Sequence, residues 1–415
     1  MKTGKTLVVI GGGAAGFFCA IRAAELDPEL QVVILEKNNQ LLSKLKVSGG
    51  GRCNVTHACS SLIDMCRNYP RGGQFLKKAF HHFFVNDTVQ WFQERGVELK
   101  TEPDGRMFPV TDSSQTIIDC FLKEAAKNRI EIRLKTELLK IETKNEKFLL
   151  MLRGQQLWAD AVCLAPGGFQ KKEQFHWLEA TQHTIVPPVP SLFTFNLKDH
   201  PLKSLMGISV TDVSIKIMGT SFEQAGPLLI THWGLSGPAV LKLSAWAARD
   251  LYAGGYDFKV KINWVPSFNE NSLRAELQRI RFDSARQKIH SRNPFGLPAR
   301  LWDYLLAACK ISEDMRWADL PAKTQNLLVL AICGTELSVK GKTTFKEEFV
   351  TAGGIALDEV EVNSMESKLW PGLFFAGEIL DIDGVTGGFN FQNAWTTAHI
   401  AANGICRRII KATVE

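Results

Sequence analysis

The sequence predicts an α/β fold with a Rossmann-type domain at its N-terminus, and three observations lead to this prediction. Thr6–Ile10 is a short apolar run typical of a buried strand. A glycine-rich turn, Gly11–Gly16, follows at once and opens a segment of helical composition that stops near Asp27. A second apolar run, Gln31–Glu36, ends in an acidic residue. These pieces form a complete βαβ unit rather than an isolated glycine motif.

The spaced glycines of this turn have the separate roles that pyrophosphate binding requires. Gly11 allows the tight turn, Gly13 lets the backbone approach the phosphates, and Gly16 lets the helix pack closely on the strand. The start of the helix adds free N–H groups and about half a positive charge. Glu36 follows at the distance where a carboxylate accepts hydrogen bonds from an adenosine ribose. The predicted dinucleotide contacts here are Gly11, Gly13, Ala14, Ala15, Gly16, Glu36 and Lys37.

The C-terminal part of the sequence indicates that the dinucleotide is FAD. Leu373–Asp381 reads as a strand, a glycine and an acid, and Gly384–Thr397 as a paired-glycine turn that opens a long helix. FAD enzymes use such a segment to reach the ribityl chain and to point a helix N-terminus at the flavin. Leu164–Phe169 adds a strand that ends in small residues. The predicted contacts are Pro166, Gly167, Gly168, Gly377, Glu378, Asp381, Gly387, Gly388, Phe389, Asn390, Phe391 and Gln392.

The stretch VSGGGRCNVT, Val47–Thr56, supplies the next predicted contacts. It follows the second strand, where FAD enzymes run a loop beside the pyrophosphate and the ribityl chain. Glycines allow close approach, Arg52 could offset phosphate charge, and its polar neighbours could donate hydrogen bonds. A flexible linker is the alternative interpretation, but GRCN is not linker composition. The contacts predicted from this loop are Lys46, Ser48, Gly49, Gly50, Gly51, Arg52, Cys53 and Asn54, and Leu138 completes the set.

Composition excludes several other classes of protein. The chain has 415 residues, a net charge of +6 and nine scattered cysteines with no CxxC pair. Neither a disulfide framework nor a zinc site is indicated, and we predict no metal. No apolar run is long enough to span a membrane. We expect a cytoplasmic enzyme. The sequence contains no second GxGxxG motif for a separate NAD(P)H domain, so NAD(P)H, the expected transient reductant, would dock directly on the flavin.

Several motifs, taken together, resemble the BaiN-like (YhiN-like) family of NAD(P)/FAD-dependent flavoproteins. They occur in family order over nearly the whole chain: KVSGGGRCNVTH, GRMFP, THWGLSGPAVLKLS, TAGGI, MESK and PGLFFAGEILDIDGVTGGFNFQNAW. The resemblance implies a glutathione-reductase-type FAD domain made from both chain ends, with two insertions. We expect the FAD-binding domain at 1–189 and 346–415, a β-barrel-like domain at 190–266 and 334–345, and a helical subdomain at 267–333.

The family resemblance implies three kinds of substrate. Some members resemble reductases of a conjugated C=C bond in steroid-like bile acids, and one branch resembles an aminoacetone-type amine oxidase. Another branch resembles a synthase that reduces a uracil of 23S ribosomal RNA to dihydrouridine. The first and third share hydride transfer to an enone-like system, followed by protonation of the α-carbon. Basic residues in the helical insertion favour RNA as a partner, although a solvated helix face explains them equally well. These residues are Arg274, Arg279, Arg281, Arg286, Lys288, Arg292 and Arg300.

Three residues placed by these motifs are candidates for the proton donor. Cys53 lies in the glycine loop, although a buried structural thiol is the alternative. His232 lies in a short glycine-bearing segment of the insertion, and a histidine can act as a general acid near neutral pH. Asp381 lies in the C-terminal motif, with Asp383 close by. A non-enzymatic interpretation also stays open, in which bound FAD stabilises an RNA-binding or redox-sensing protein.

Overall fold

The computed structural model describes residues 4–144, 146–343 and 350–414. One compact unit comprises Met1–Ser191 and Lys346–Glu415, and a second comprises Leu192–Phe345. The second unit contains both the strands and the helices that the sequence assigns to two separate insertions, and the division into three domains stays a prediction.

The described part of the chain forms 22 strands and 12 α-helices. In chain order the strands are β1 (Thr6–Ile10), β2 (Gln31–Leu35), β3 (Thr56–His57), β4 (Leu99–Thr101), β5 (Arg106–Pro109), β6 (Glu131–Arg133), β7 (Leu138–Lys144), β8 (Lys147–Leu152), β9 (Gln155–Ala159), β10 (Ala161–Leu164), β11 (Ile185–Ser191), β12 (Thr194–Asn196), β13 (Ser209–Ile217), β14 (Glu223–Ile230), β15 (Gly234–Ser236), β16 (Asp257–Asn263), β17 (Thr335–Lys340), β18 (Lys342–Thr343), β19 (Val350–Ile355), β20 (Val360–Glu361), β21 (Glu366–Ser367) and β22 (Leu373–Phe375). The α-helices are α1 (Ala14–Leu26), α2 (Ser43–Gly51), α3 (Leu62–Cys66), α4 (Gly73–Ala79), α5 (Val85–Gln93), α6 (Ser114–Lys127), α7 (Pro238–Trp246), α8 (Ala248–Ala253), α9 (Glu270–Asp283), α10 (Ala299–Ala308), α11 (Ala322–Cys333) and α12 (Phe389–Val414).

The first unit is built on a seven-stranded sheet in the order β20-β21-β22-β10-β1-β2-β6. Its central strands are parallel, from β22 through β10, β1 and β2 to β6. The carboxyl ends of β1, β2, β10 and β22 therefore meet at one edge, where open α/β sheets bind their ligands. The sequence segments predicted to hold FAD follow these strand ends, although the outermost predicted contacts, Gly11 and Gln392, are 381 residues apart in the chain.

Helices α1 and α12 pack on the sheet and share an aromatic core. Phe18 of α1 contacts Trp395 of α12 with ring centroids 5.6 Å apart, and Trp395 stacks on Phe121 of α6 at 5.5 Å. All three rings are fully buried. Burial of each such side chain contributes roughly 2–3 kcal/mol, so this cluster fixes the position of α12 against the Rossmann unit.

The second unit contains an antiparallel sheet in the order β17-β16-β13-β14-β15-β12-β18. Helix α7 packs against β13 and β14, and helices α9 and α11 pack against each other through buried apolar faces. Trp264, Trp302 and Trp317 are buried in the core of this unit. None of the helices in the described ranges is long and apolar enough to cross a bilayer.

Side chains of polar residues begin two of the helices in the first unit. Helix α5 begins at Val85, and the Asp87 carboxylate accepts the Phe84 N–H at 2.7 Å, as a third-position acid does. Ser113 caps α6 by accepting the Gln115 N–H at 3.3 Å. The proline-rich stretch Pro187–Pro190 lies in strand β11. Proline is tolerated there because, among the described strands, β11 pairs with β19 alone and has a register shift at this point.

Candidate functional site: a dinucleotide cradle at the sheet edge

The glycines of the βαβ turn differ in whether packing within the protein requires them. A Cβ at Gly11, whose φ is +111°, would lie 2.3 Å from the Ala165 carbonyl oxygen, and a Cβ at Gly16 would lie 2.0 Å from the Gly11 oxygen. Both glycines are therefore required for packing. A Cβ at Gly13 would meet no protein atom within 4 Å. Gly13 opens α1 onto free space, which is the feature that a bound pyrophosphate requires.

Glu36 closes this turn from the end of β2. Its Oε2 accepts the Gly12 N–H at 2.8 Å, and its Oε1 accepts the backbone and side-chain N–H groups of Asn38 at 2.8 and 2.9 Å. The carboxylate is thereby fixed beside the start of α1. A carboxylate retains further acceptor capacity after these bonds, so it can still receive ribose hydroxyls.

The glycine loop interrupts α2 at Ser48 and exposes bare backbone. Gly49, Gly50 and Gly51 all have positive φ, between +59° and +86°. A Cβ at Gly49 would collide with the Phe108 ring, whereas a Cβ at Gly50 or Gly51 would meet nothing within 4 Å. The first glycine therefore serves packing. The other two leave open backbone that could approach a ligand, as predicted for this stretch.

Arg52 has a different environment from the predicted one. Its Nη1 pairs with Glu102 Oε1 at 2.5 Å, and its guanidinium lies 4.0 Å from the centroid of the Phe108 ring. Asp112 lies 3.6 Å away. Since Glu102 and Asp112 already balance this charge, the predicted role of Arg52 in offsetting phosphate charge gains no support from its contacts.

Cys53 is fully buried and has a left-handed backbone, with φ at +61°. Burial raises the pKa of its thiol to about 12, against a smaller lowering effect of a hydrogen bond with Ser48. Such a thiol is neutral at physiological pH and donates its proton reluctantly. The structure thus gives Cys53 the properties of a structural thiol, the alternative interpretation of this residue.

The turns after β10 and β22 lie side by side. A Cβ at Gly168 would lie 2.8 Å from Glu378 Oε1, and a Cβ at Gly377, whose φ is +76°, would lie 2.9 Å from the Ala15 Cβ of α1. The Glu378 carboxylate accepts the Thr351 N–H at 2.9 Å and pairs with Lys44 at 2.5 Å. The structure therefore brings the predicted segments around Gly168, Gly377 and Ala15 together.

The start of α12 is held by the glycine loop. With its carboxamide turned to satisfy both partners, Asn54 accepts the Gly388 N–H and donates to the Thr56 carbonyl, each at 3.0 Å. Asn390 makes two hydrogen bonds of 2.8 Å to the backbone of Gly384. Helix geometry leaves the N–H groups of the first turn of α12 without helical partners. They are therefore available to an anionic or polar ligand group.

Gln392 is turned inward. Its Oε1 accepts the Thr56 hydroxyl at 2.6 Å and the Thr88 hydroxyl at 3.0 Å, and the side chain is fully buried. Its Nε2 donates to Thr396 at 3.1 Å. Gln392 therefore anchors α12 rather than presenting its amide at the predicted flavin edge. Glu378, Asn390 and Asn54 likewise support the backbone of the cradle.

Several residues beside this site were missed by the sequence analysis. The Tyr69 hydroxyl donates to the Phe389 carbonyl at 2.6 Å, and burial raises the pKa of this phenol well above its ordinary value. Arg71 forms a two-pronged ion pair with the fully buried Asp383. His57 stacks on the Phe389 ring with centroids 4.7 Å apart, and its Nδ1 lies 3.1 Å from the Gly387 oxygen. None of the family motifs contains Tyr69 or Arg71, whereas His57 is the last residue of the motif KVSGGGRCNVTH.

The remaining candidates for catalysis, Asp381 and His232, belong to different units of the chain. Asp381 follows β22 and is partly exposed, and its N–H donates to the Ile355 carbonyl at 3.0 Å. His232 belongs to the second unit, where it is exposed in the tight turn between β14 and β15 and contacts the Trp233 ring at 4.0 Å. The catalytic roles of both residues stay predictions. A surface cleft of about 890 Å³ beside α5, lined among others by Cys59, Asn86 and Gln90, includes none of the predicted contacts.

Most of the basic residues predicted to contact RNA already have partners within the protein. Arg279 pairs with Glu276 and Asp283, and Lys288 pairs with Asp314. Hydrogen bonds engage four more: Arg274, Arg281, Arg292 and Arg300. These contacts favour the alternative of an ordinary solvated surface over a continuous phosphate-binding face. Within the described ranges no His, Cys, Asp or Glu cluster could hold a metal ion.

The residues of this site are suited to bind FAD. Packing within the protein does not require glycine at Gly13, Gly50 or Gly51, and the open space beside these three residues is available to a ligand. The fixed Glu36 carboxylate would hold the adenosine ribose, α1 the pyrophosphate and the start of α12 the pyrimidine edge of the flavin. The fold and this cradle define the class of protein: an FAD-dependent oxidoreductase with a Rossmann-type domain.

The chain belongs to the HI0933-like family, whose Rossmann-domain model matches residues 5–404. It is 28% identical over 411 residues to the 3-dehydro-bile acid delta(4,6)-reductase of Clostridium scindens, covering 96% of this chain and 98% of that protein. It is 29% identical over 408 residues to the ribosomal RNA dihydrouridine synthase of Escherichia coli K12, covering 96% and 97%. A solved 3-ketosteroid-delta4-(5alpha)-dehydrogenase of Rhodococcus jostii RHA1 has a TM-score of 0.50 at 14% identity, covering 96% and 97%, and shares the fold. These relatives confirm the family, the fold class and the enzyme class predicted from the sequence.

Proposed function

We propose that this enzyme reduces a conjugated C=C bond with NAD(P)H as the electron source, and that its substrate is a uracil base of 23S ribosomal RNA. The observation that carries the reductase proposal is the cradle itself, because three distant segments place open glycine backbone and the start of α12 at one sheet edge. A purely structural FAD would not require a helix N-terminus directed at its reactive ring.

FAD, when reduced, supplies hydride to the β-carbon of an enone-like system such as uracil C5=C6 conjugated to C4=O. The chain's own residues hold the cofactor and deliver a proton to the α-carbon. Asp381 and His232 are the candidates for that delivery. Cys53 is a weaker candidate because burial holds the pKa of its thiol near 12. We place the enzyme in the cytoplasm, where both NAD(P)H and ribosomal RNA are available.

The choice of RNA rests on relatives with that name and on one surface feature at the end of α9. Phe282 is 88% exposed, the most exposed of the large apolar side chains in the described ranges. Arg286, four residues further along the chain and just beyond the end of α9, is exposed and has no hydrogen-bond or ion-pair partner among the described residues. An exposed aromatic ring and a free guanidinium close together in the chain are suited to stacking on an unpaired base and contacting its phosphate.

A small enone is the second candidate substrate, and one observation favours it. Six of the seven basic residues predicted to contact RNA are engaged within the protein, so the surface lacks a broad free basic face. One of the relatives is named as a reductase of a 3-dehydro-bile acid, which is a small molecule. The two candidates share the same chemistry at the flavin and differ only in what the protein binds.

Nucleoside mass spectrometry of 23S rRNA tests the proposal directly. Deletion of the gene should abolish a dihydrouridine signal, and wild-type protein with NAD(P)H should restore it, whereas the Gly13→Val variant should not. An unchanged signal would overturn the RNA proposal. Reoxidation of the reduced flavin by small enones would then favour the second candidate, and reduction of the oxidised flavin by amines would favour an amine oxidase.

The surface at the end of α9 is tested separately by RNA binding at several salt concentrations. Phe282→Ala and Arg286→Ala should each weaken binding, and Arg286→Ala should also reduce the salt dependence by about one counterion. Arg279→Ala is the matched control, because this side chain is already paired with two carboxylates. Equal effects of all three substitutions would argue against a specific contact surface.

A further inference from the structure

A short segment after α3, Asn68–Gly72, holds the loop that leads into α12. The Asn68 carbonyl accepts the Val385 N–H at 2.8 Å, and the Tyr69 hydroxyl donates to the Phe389 carbonyl at 2.6 Å. A backbone bridge joins Arg71 to Asp383. This segment therefore contacts the loop from its beginning at Asp383 to the first residue of the helix.

The strongest of these contacts is the Arg71–Asp383 ion pair. Arg71 Nε and Nη2 each donate to one oxygen of the Asp383 carboxylate. The Asp383 side chain is fully buried and that of Arg71 is only 15% exposed. Ser191, the last residue of β11, donates to the same carboxylate at 2.7 Å. Both carboxylate oxygens are thus engaged, and the loop cannot shift without breaking several charge-assisted bonds.

Stability alone does not account for this pair. Desolvation of two charges largely cancels their attraction, so a buried ion pair contributes little net stability compared with apolar residues of similar size. Burial accordingly raises the pKa of Asp383, opposed by the bonds from Arg71 and Ser191. What a two-pronged pair supplies is a fixed geometry. The residues that it fixes are those between Asp383 and the start of α12.

The opposite side of this loop is fixed by the glycine-loop segment. Asn54 accepts the Gly388 N–H at 3.0 Å, and His57 lies 3.1 Å from the Gly387 oxygen. Gly387 and Gly388 have φ of +132° and +94°, and a Cβ at Gly388 would lie 2.5 Å from the Thr56 carbonyl. The turn is therefore held between two segments, and a shift of one side would move the first N–H groups of α12.

We infer that Arg71, through Asp383, is a positioning residue that aims the N-terminus of α12 at the flavin ring. The inference rests on the proposed function, because it needs FAD in the cradle. Helix-terminal N–H groups act over the first turn only, and a misplacement of about 1 Å is costly in a preorganised site. Arg71 need not contact the cofactor to have this effect.

The test compares Arg71→Met with a matched control, Arg95→Met, in the full-length protein. Arg95 is also a mostly buried arginine of the same unit, paired with Glu25 at 2.5 Å and only 12% exposed, but it lies outside the predicted cradle. Each variant is characterised by its thermal unfolding without FAD, its FAD dissociation constant and the midpoint potential of its bound flavin. Arg71→Lys is the conservative variant, because lysine retains the positive charge but cannot donate two parallel hydrogen bonds to the Asp383 carboxylate.

We expect Arg71→Met to weaken FAD binding by about tenfold and to lower the flavin midpoint potential, because the helix N-terminus would favour the reduced state less. Arg95→Met should lower thermal stability and leave both flavin properties unchanged. Arg71→Lys should recover stability more fully than it recovers the potential. Equal losses of FAD affinity in Arg71→Met and Arg95→Met, or an unchanged potential in Arg71→Met, would overturn the inference.

A wild-type protein that bound no FAD would instead contradict the proposed function. The two failures are distinguishable, because the inference concerns only the difference between variants of a protein that does bind the cofactor.

Discussion

Glu36 accepts a hydrogen bond from the backbone N–H of Gly12 at 2.8 Å. This bond joins the end of β2 to the turn between β1 and α1. It fixes the carboxylate at the place where the sequence motif expects a ribose to bind. The Glu36 side chain thus supports the turn and is positioned to contact a nucleotide at the same time.

Replacing Glu36 with glutamine should separate these two roles. Glutamine can still accept the Gly12 N–H through its carbonyl oxygen, but its NH2 group cannot accept the two exposed Asn38 N–H groups, and it lacks the charge that strengthens hydrogen bonds from ribose hydroxyls. We expect FAD binding about tenfold weaker in Glu36→Gln, with only a small loss of thermal stability because the lost Asn38 bonds are exposed to water. Titration of free FAD fluorescence with apoprotein measures the affinity. Glu29→Gln, at an exposed position before the amino end of β2, should bind FAD normally. Normal FAD binding by Glu36→Gln as well would contradict the ribose assignment.

Gly13 and Gly16 provide a matched pair of substitutions within one motif. Gly13→Val places its side chain in open space, so the variant should fold but purify without the yellow flavin. Gly16→Val forces a contact 2.0 Å from the Gly11 oxygen and should unfold the βαβ unit. Flavin absorbance and thermal unfolding distinguish the two outcomes. A Gly13→Val protein with full flavin content would refute the assignment of this turn.

The sequence predicted the βαβ turn well because each glycine has a local steric reason that the motif states. It could not predict Arg71 and Tyr69, because their partners Asp383 and Phe389 are more than 300 residues away and no motif contains them. Gln392 was assigned to the flavin because it follows the glycine pair. The rotation of α12, set by its aromatic packing, turns this side chain to the interior instead.

The contacts of Arg52 likewise could not be predicted from the local sequence. Proximity in sequence to three glycines suggested a phosphate contact, but strand pairing of β5 and β4 brings the acidic residues Glu102 and Asp112 close to the guanidinium. The choice between a ligand and a protein carboxylate depends on this tertiary pairing, which the local sequence does not contain.

Cys53 should prove dispensable for the reaction. Since burial raises the pKa of its thiol to about 12, the thiol stays protonated across the pH range 6–9 and contributes no inflection to a pH–rate profile. Cys53→Ala should retain FAD and turn over substrate within about twofold of wild type. Steady-state rates at several pH values, with enone or RNA as the acceptor, provide the measurement. Loss of turnover with FAD still bound would make the thiol catalytic and contradict this prediction.

His399 of α12 should make the folded protein sensitive to acid. Its ring stacks on Phe83 at 4.5 Å, and its buried Nδ1 has no hydrogen-bond partner among the described residues. The pKa of the imidazole is lowered from 6.5 to about 4, chiefly by burial, and the nearby charges of Arg22 and His82 contribute to this lowering. The folded protein therefore holds this ring neutral at pH values where the unfolded chain would protonate it.

The sign of the effect follows from this difference in proton binding. Between pH 6.5 and about 4 the unfolded chain binds one more proton than the folded chain at this site, so stability falls as the pH falls through that window. We expect a wild-type loss of roughly 1–2 kcal/mol from this residue, after allowance for its partial exposure. His399→Gln removes the titrating group and should make the free energy of unfolding less dependent on pH. Urea unfolding at about pH 4.5, 5.5, 6.5 and 7.5 measures this free energy.

Other buried histidines such as His183 are present in both proteins, so the difference between the wild-type and His399→Gln curves of unfolding free energy against pH is due to His399. His176→Gln, at an exposed position, should follow the wild-type curve; a His399→Gln curve parallel to wild type would show that the imidazole is not held neutral by the fold.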